Sequence, residues 1–206
     1  MNPAADCTAC RLGTLRTSCP VYDKDGGPCS LCNGSGTRLH RSSVVWGMGP
    51  MPNAVMLIGE APGFHEDREG LPFRPLAPAG RALQQALEEF WDGIPPYITN
   101  VVKCRPPDNR LKEYPDALLT CPEKWLQGQI GEVNPRVIVA LGAVAGGLWF
   151  PGFKAHEQAT LTRALPGRVV VGSLHPSYVA RGTDPTSGAS LRRSLRRALA
   201  LTKEVR

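Results

Sequence analysis

The sequence predicts an α/β fold in three layers (α/β/α), with helices on both faces of a mainly parallel central sheet. Three observations carry this prediction. Short, continuously apolar runs of strand length recur between residues 54 and 173. Stretches of helical composition separate them, and a strand that reads apolar throughout is one covered on both faces, as parallel strands are. Glycine-, proline- and asparagine-bearing segments follow three of the runs, at the strand ends where open α/β sheets bind ligands.

The first fifty residues stand apart. They hold five of the seven cysteines, many glycines and no periodicity, which suggests loops tied down by ligands. "AVMLIG" (54–59) then reads as the first buried strand and "AGRALQQALEEFW" (79–91) as a helix. "YITNVV" (97–102) has the β-branched and aromatic bias of a strand. Residues 114–133 are helical in composition, "RVIVAL" (136–141) is a strand and "GAVAGGLWF" (142–150) a short helix. "RVVVGS" (168–173) is a further strand, and residues 188–205 form an amphipathic helix with paired arginines on one side. No internal repeat is present. One domain over residues 1–206 is expected, with a Cys/Gly-rich insertion at about 18–42.

Composition narrows the class. With 42% hydrophobic residues the chain is globular, and no apolar run of membrane-spanning length occurs. The start "MNPAADCTAC" lacks the basic and apolar regions of a secretory signal, so a cytoplasmic location is expected. Seven cysteines in that compartment point to metal or cluster ligation before disulfides. The net charge is +6, and eighteen arginines against six lysines suit phosphate contacts, although an arginine bias can also reflect genome composition.

Three segments follow strands: "GEAPGFHEDREGLPF" (59–73), "TN…KCRPP" (99–107) and "SLHPSYVARG" (173–182). Each alone reads as a turn, and His175 alone as a structural histidine. Their arrival in order at successive strand ends points to a site. Asn100 closes an apolar run, where its amide needs partners. Cys104, between Lys103 and Arg105, is either a small hydrophobe or a ligand.

Taken together, "CTACRLGTLRT", "MLIGEAPGFHEDREGLPF", "YITNVVKCRPP", "VNPRVIVALG" and "LHPSYVARG" resemble the iron–sulfur uracil-DNA glycosylases, the family 4 branch of the uracil glycosylase superfamily. The resemblance covers most of the chain outside residues 18–42. It implies a monofunctional enzyme that flips uracil, or a related modified pyrimidine, out of DNA and hydrolyses its N-glycosidic bond for base-excision repair. It implies a [4Fe–4S] cluster on Cys7, Cys10, Cys104 and Cys121, structural in role, with Lys103 and Arg105 offsetting its negative charge. By the same resemblance Asn100 reads the uracil edge, Phe73 stacks on the flipped base and His175 donates to the departing pyrimidine. Ser177, Val179 and Arg181 face DNA, Val179 at the position of the wedge that fills the vacated stack.

By the same resemblance Glu60 is the first candidate for positioning water or stabilising the oxocarbenium-like sugar, because Ala61 stands where the best-known uracil glycosylases carry an aspartate. Glu66 and Asp67 are the alternatives. Gly63 replaces a tyrosine that excludes the thymine methyl group, and the lengthened "FRPLAPAG" (73–80) is expected to rebuild that wall, with Arg74 reaching a phosphate or a base substituent. A monomer acting on DNA, with no membrane, is the expected context.

Three rival readings stay open. Cys7/Cys10 with Cys29/Cys32 spell a C-x2-C…C-x2-C zinc ribbon, which suits a non-catalytic nucleic-acid binder. The insertion alone offers Cys19, Cys29, Cys32 and His40 as a small zinc knuckle. The pocket can also be specialised for a bulkier modified base. A relative that traps uracil covalently through a loop histidine is disfavoured, because "CRPPDNRLKEYPDALLTC" contains none.

Overall fold

The structure, a computed structural model, describes residues 2–15, 44–158 and 160–204. Four parallel strands form its centre: β1 (Val55–Gly59), β2 (Tyr97–Asn100), β3 (Val137–Leu141) and β5 (Arg168–Ser173). An antiparallel edge strand, β4 (Thr162–Leu165), completes the order β2-β1-β3-β5-β4. Alternation along the strands divides their side chains between two cores. Val55, Leu57, Val137, Val139 and Leu141 face one side, where Leu83 and Ala86 of α3 (Pro78–Glu88) and Leu191, Leu195, Ala198 and Leu201 of α9 (Ser187–Glu204) cover them. Met56, Ile58, Ile138 and Ala140 face the other, beneath α4 (Pro115–Cys121), α5 (Gln127–Val133), α6 (Gly142–Gly147) and α7 (Ala155–Gln158). The three expected layers are therefore present.

α9 buries residues 191, 194, 195, 198 and 201, one stripe at helical spacing, and its arginines work on the outer side. Arg192 and Arg196 both pair with Glu89 at the end of α3, at 3.0 and 2.7 Å. α3 opens with Pro78 at its first position, where the missing N–H costs no hydrogen bond. The helical run 114–133 is interrupted at Pro122 by a π turn over Pro122–Leu126, because proline cannot supply the backbone donor.

Two elements depart from the sequence reading. β4 was not expected, since "TRAL" is exposed and lacks a buried-strand pattern. The two-residue Pro166-Gly167 link, with Gly167 at φ +71°, marks it as half of a hairpin with β5. α2 (Phe64–Glu69) lies inside what reads as a loop, and a carboxylate reaching back from Glu66 to the Gly63 N–H starts it.

Near the amino terminus, α1 (Arg11–Leu15) docks on α4. The Arg11 N–H donates to Asp116 Oδ2 at 2.7 Å, its guanidinium lies 5.2 Å from the Tyr114 ring centroid, and Leu12 is buried. Cys19, Cys29, Cys32 and His40 fall outside the described residues. No described helix is long and apolar enough to cross a membrane.

Candidate active site and cysteine pocket

The carboxyl ends of β1, β2, β3 and β5 share one edge of the sheet, and a cavity of about 580 Å³ opens there. Its walls include Glu60, Ala61 and Gly63 from the segment after β1, and His175, Ser177 and Arg181 from the segment after β5. Two buried polar side-chain atoms among the described residues lack a hydrogen-bond partner: Asn100 Nδ2 and Ser173 Oγ. Both sit at the last residue of a strand on this edge. Buried donors are almost always paired, so each orphan at a strand end is a point where a water or a ligand can complete the structure. Ser173 carried no signal in the sequence.

Asn100 is 1% exposed, and Gly59 on the neighbouring strand is what admits it. A Cβ at Gly59 would meet the Phe73 ring at 2.6 Å and Asn100 Oδ1 closer still. Asn100 and Phe73 are thus packed together over the end of β1, and the Phe73 and His175 ring centroids are 5.6 Å apart. Phe73 adopts φ 49°, a left-handed conformation that costs a bulky residue about 1–3 kcal/mol. Glu66 holds it there, one carboxylate oxygen accepting from the Phe73 N–H and the other from the Gly63 N–H at 2.5 Å. Burial raises the Glu66 pKa, against those two hydrogen bonds and the nearby His65, which lower it. With both oxygens committed, Glu66 is a loop clamp, and Asp67 is buried away from the cavity wall. Glu60 is the carboxylate that faces the cavity with no hydrogen-bond partner among the described residues, and burial raises its pKa.

His175 caps the start of α8 (Pro176–Ala180). Its Nδ1 accepts from the Ser177 N–H at 3.1 Å and lies 2.8 Å from Ser177 Oγ. An Nδ1 that accepts a backbone N–H has no proton, so in the neutral ring the proton sits on Nε2, free to donate. Burial, and to a smaller degree the Arg181 charge, push the His175 pKa down to about 4. Gly142 (φ +90°) gives the ring its space, since a Cβ there would lie 2.9 Å from His175 Cβ. Arg181 stacks 5.5 Å from the centroid of the Tyr178 ring on the same wall.

The structure does not bring every expected residue to the cavity. Phe73 and Asn100 are not among its lining residues, and Phe73 borders a separate apolar groove. Val179 is half-buried and packs into the core shared by α3 and α9, which does not match a protruding wedge. Of "FRPLAPAG", Ala79 reaches the cavity wall. Leu76 is 67% exposed and Pro75 borders the same apolar groove, while Arg74 is paired with Glu69. Apart from Ala79, the proline-containing stretch therefore does not rebuild the wall on the Gly63 side.

On the other face, Cys7, Cys10, Cys104 and Cys121, which form no disulfide among the described residues, line one small pocket beside Trp125. The Trp125 Nε1–H donates to Cys7 Sγ at 3.3 Å, and the Lys103 backbone N–H to Cys121 Sγ at 3.4 Å. Burial pushes the Cys121 thiol up to about 11, against the Lys103 hydrogen bond and charge. Four sulfurs are gathered there from three segments, and two of them accept N–H bonds. The Lys103 charge acts on Cys121, but its ammonium makes its hydrogen bonds away from the sulfurs. It turns instead to Thr99 Oγ1, the Asn100 carbonyl and Gln129 Oε1, at 2.7, 2.7 and 2.6 Å.

Comparison with known proteins agrees with this geometry. Residues 46–199 match the profile of the uracil DNA glycosylase superfamily. The chain is 39% identical over 158 residues to a Type-4 uracil-DNA glycosylase of Thermotoga maritima, covering 73% of this chain and 78% of that one. It is 40% identical over 117 residues to a Type-4 uracil-DNA glycosylase of Pyrobaculum aerophilum, an alignment spanning 55% of this chain and 57% of the relative. A Type-5 uracil-DNA glycosylase of the same organism is 32% identical over 190 residues, covering 79% and 80% of the two chains. With three-quarters of its length inside one family profile and its site at the strand ends that profile spans, this chain belongs to the uracil DNA glycosylase superfamily.

Proposed function

We propose that the chain removes uracil from DNA by hydrolysing the bond between uracil N1 and deoxyribose C1′, leaving an abasic site. The observation that carries this reading is the Asn100 Nδ2, unpartnered among the described residues, its amide packed against Phe73, whose ring lies 5.6 Å from His175 on the cavity wall. An amide offers an acceptor to uracil N3–H and a donor to uracil O4 together, and cytosine presents the reverse pattern. The base must leave the duplex to reach such a site.

As the C1′–N1 bond breaks, its electron pair departs with the base and negative charge spreads to uracil O2. The His175 Nε2–H donates there, strengthening as the charge grows, which favours the transition state over the ground state. A neutral ring does this without surrendering its proton, consistent with a pKa of about 4. Water attacks C1′, and Glu60 orients it and takes up its proton. Ser177, Tyr178 and Arg181 border the mouth of the cavity where the flanking phosphates would pass.

Cys7, Cys10, Cys104 and Cys121 would hold a [4Fe–4S] cluster, which supplies a structural cross-link between the amino-terminal segment and α4. Among the described residues no lysine lines the cavity, and Lys103 is committed elsewhere, so a Schiff-base lyase path lacks an evident nucleophile there. The zinc knuckle on Cys19, Cys29, Cys32 and His40 remains a separate proposal, decided by zinc per chain.

The test is alkali-sensitive cleavage of oligonucleotides carrying uracil, with free base measured alongside. Asn100→Ala and His175→Ala should each lower the rate by about 100-fold or more, the scale of losing a transition-state donor. Unchanged rates in both, or a borohydride-trapped adduct, would overturn the mechanism. Because the small residues Ala61 and Gly63 line one side of the cavity, 5-hydroxymethyluracil belongs in the same assay.

A further inference from the structure

We propose that Lys103 is a positioning residue: its ammonium braces the end of β2 so that the Asn100 amide is aimed at the base. The proposal rests on the reading of Asn100 given above. Lys103 is 1% exposed, and no carboxylate among the described residues pairs with it. Its three N–H donors instead meet three neutral oxygens, those of Thr99, Asn100 and Gln129, and its charge lies 5.5 Å from the Trp46 ring centroid. The acceptors are themselves fixed. Thr99 Oγ1 donates to the Trp46 carbonyl at 2.6 Å, while Gln129 Nε2 donates to that carbonyl at 2.9 Å and to Tyr97 Oη at 3.0 Å.

A buried cation among neutral groups is expensive to keep, and an apolar side chain of the same length would fill the volume more cheaply. What an apolar side chain cannot do is close the turn from 100 to 103. Among the described residues the Asn100 Nδ2 has no partner, so no hydrogen bond through that donor sets the aim of the amide. The main chain must set it. Val101 and Val102 donate to the Gly59 and Glu60 carbonyls, which secures the strand side, and the Lys103 ammonium secures the Asn100 carbonyl from the opposite side. The Lys103 backbone meanwhile donates to Cys121 Sγ and accepts from the Val45 N–H. One residue thus ties the base-reading strand end to α5 and to the cysteine pocket.

The experiment is a double-mutant cycle on the cluster-loaded protein, with iron and sulfide per chain measured for every variant. Lys103→Met should slow uracil release by about 10-fold in the parent but by less than about twofold in Asn100→Ala, since coupled residues are non-additive. Thr99→Val, which keeps the lysine and removes one acceptor, should show the same pattern more weakly. Hydrogen–deuterium exchange of residues 97–104 should quicken in Lys103→Met. Equal fold-losses in both backgrounds, or unchanged exchange, would overturn the proposal. A parent that releases no uracil would sink the functional reading instead. Exchange alone then decides Lys103: faster exchange supports the brace, and unchanged exchange removes it.

Discussion

At the scale of single residues, the site works by denying ordinary partners to groups that need them. Asn100 keeps a donor unpaired, and Phe73 is held in a left-handed conformation by Glu66. His175 is kept neutral by burial, and that has a pH signature. Its folded pKa is about 4 against an ordinary 6.5, so between those values the unfolded chain takes up a proton that the folded chain refuses. Stability contributed by this group is therefore complete above about pH 6.5 and falls as pH drops toward 4, by about 1–3 kcal/mol once partial solvent access is discounted. His175→Gln should flatten that part of the stability profile while leaving stability near pH 8 almost unchanged. Urea midpoints measured from pH 8 to pH 4 would show it, and parallel profiles for the two proteins would show that His175 titrates normally. Much of this residue set was readable from the sequence because the three segments sit beside strand ends. Ser173, Gln129 and the turned-in ammonium of Lys103 were not readable. Each depends on which side chain faces inward across the sheet, and no periodicity reports that for a polar residue.

Among elements, the four buried strands were legible to within about two residues, because continuous apolar runs allow little else. The edge strand β4 was not. It buries nothing, so no hydrophobic pattern marks it, and the Pro166-Gly167 hairpin link was its one sign. The helix over 114–133 was legible as a whole but not its π turn, which follows from Pro122 directly after a candidate cluster ligand. The link from α1 to α4 is the element-scale question with the clearest consequence. Apart from the thiols, that contact includes the Arg11–Asp116 hydrogen bond, the Arg11–Tyr114 stack and the burial of Leu12, too little to hold a five-residue helix on its own. Removing iron should therefore release residues 2–15 to proteases and lower the melting temperature while the sheet persists by circular dichroism. Cys121→Ala should do the same. An iron-free protein with the parent's melting temperature and digestion pattern would mean that the cysteines are packing residues only.

For the whole molecule, charge and cavity divide the labour. The net charge of +6 and sequence pI near 9.1 attract any polyanion, while the base-reading groups sit inward at strand ends, shielded from bulk salt. Arg181 on the cavity wall is placed to contribute to phosphate binding, and Arg192 and Arg196 are engaged with Glu89 at the far end of α3. Two binding steps should therefore answer differently to salt. Affinity for an oligonucleotide should fall with a log–log slope of about −0.9 per phosphate neutralised on a duplex, so three contacts give roughly a 40-fold loss between 50 and 200 mM salt. Inhibition by free uracil, which meets Asn100 and His175 without any phosphate, should change little over the same range. Arg181→Gln should reduce the oligonucleotide slope by about one and leave uracil inhibition in place, given that each lost phosphate contact removes its own counterion release. The measurement is KM for a uracil-containing duplex and the inhibition constant for uracil, taken side by side across salt. If both constants moved together, base recognition would depend on the same surface charge as DNA docking, and the inward placement of Asn100 would not have the protective role assigned to it.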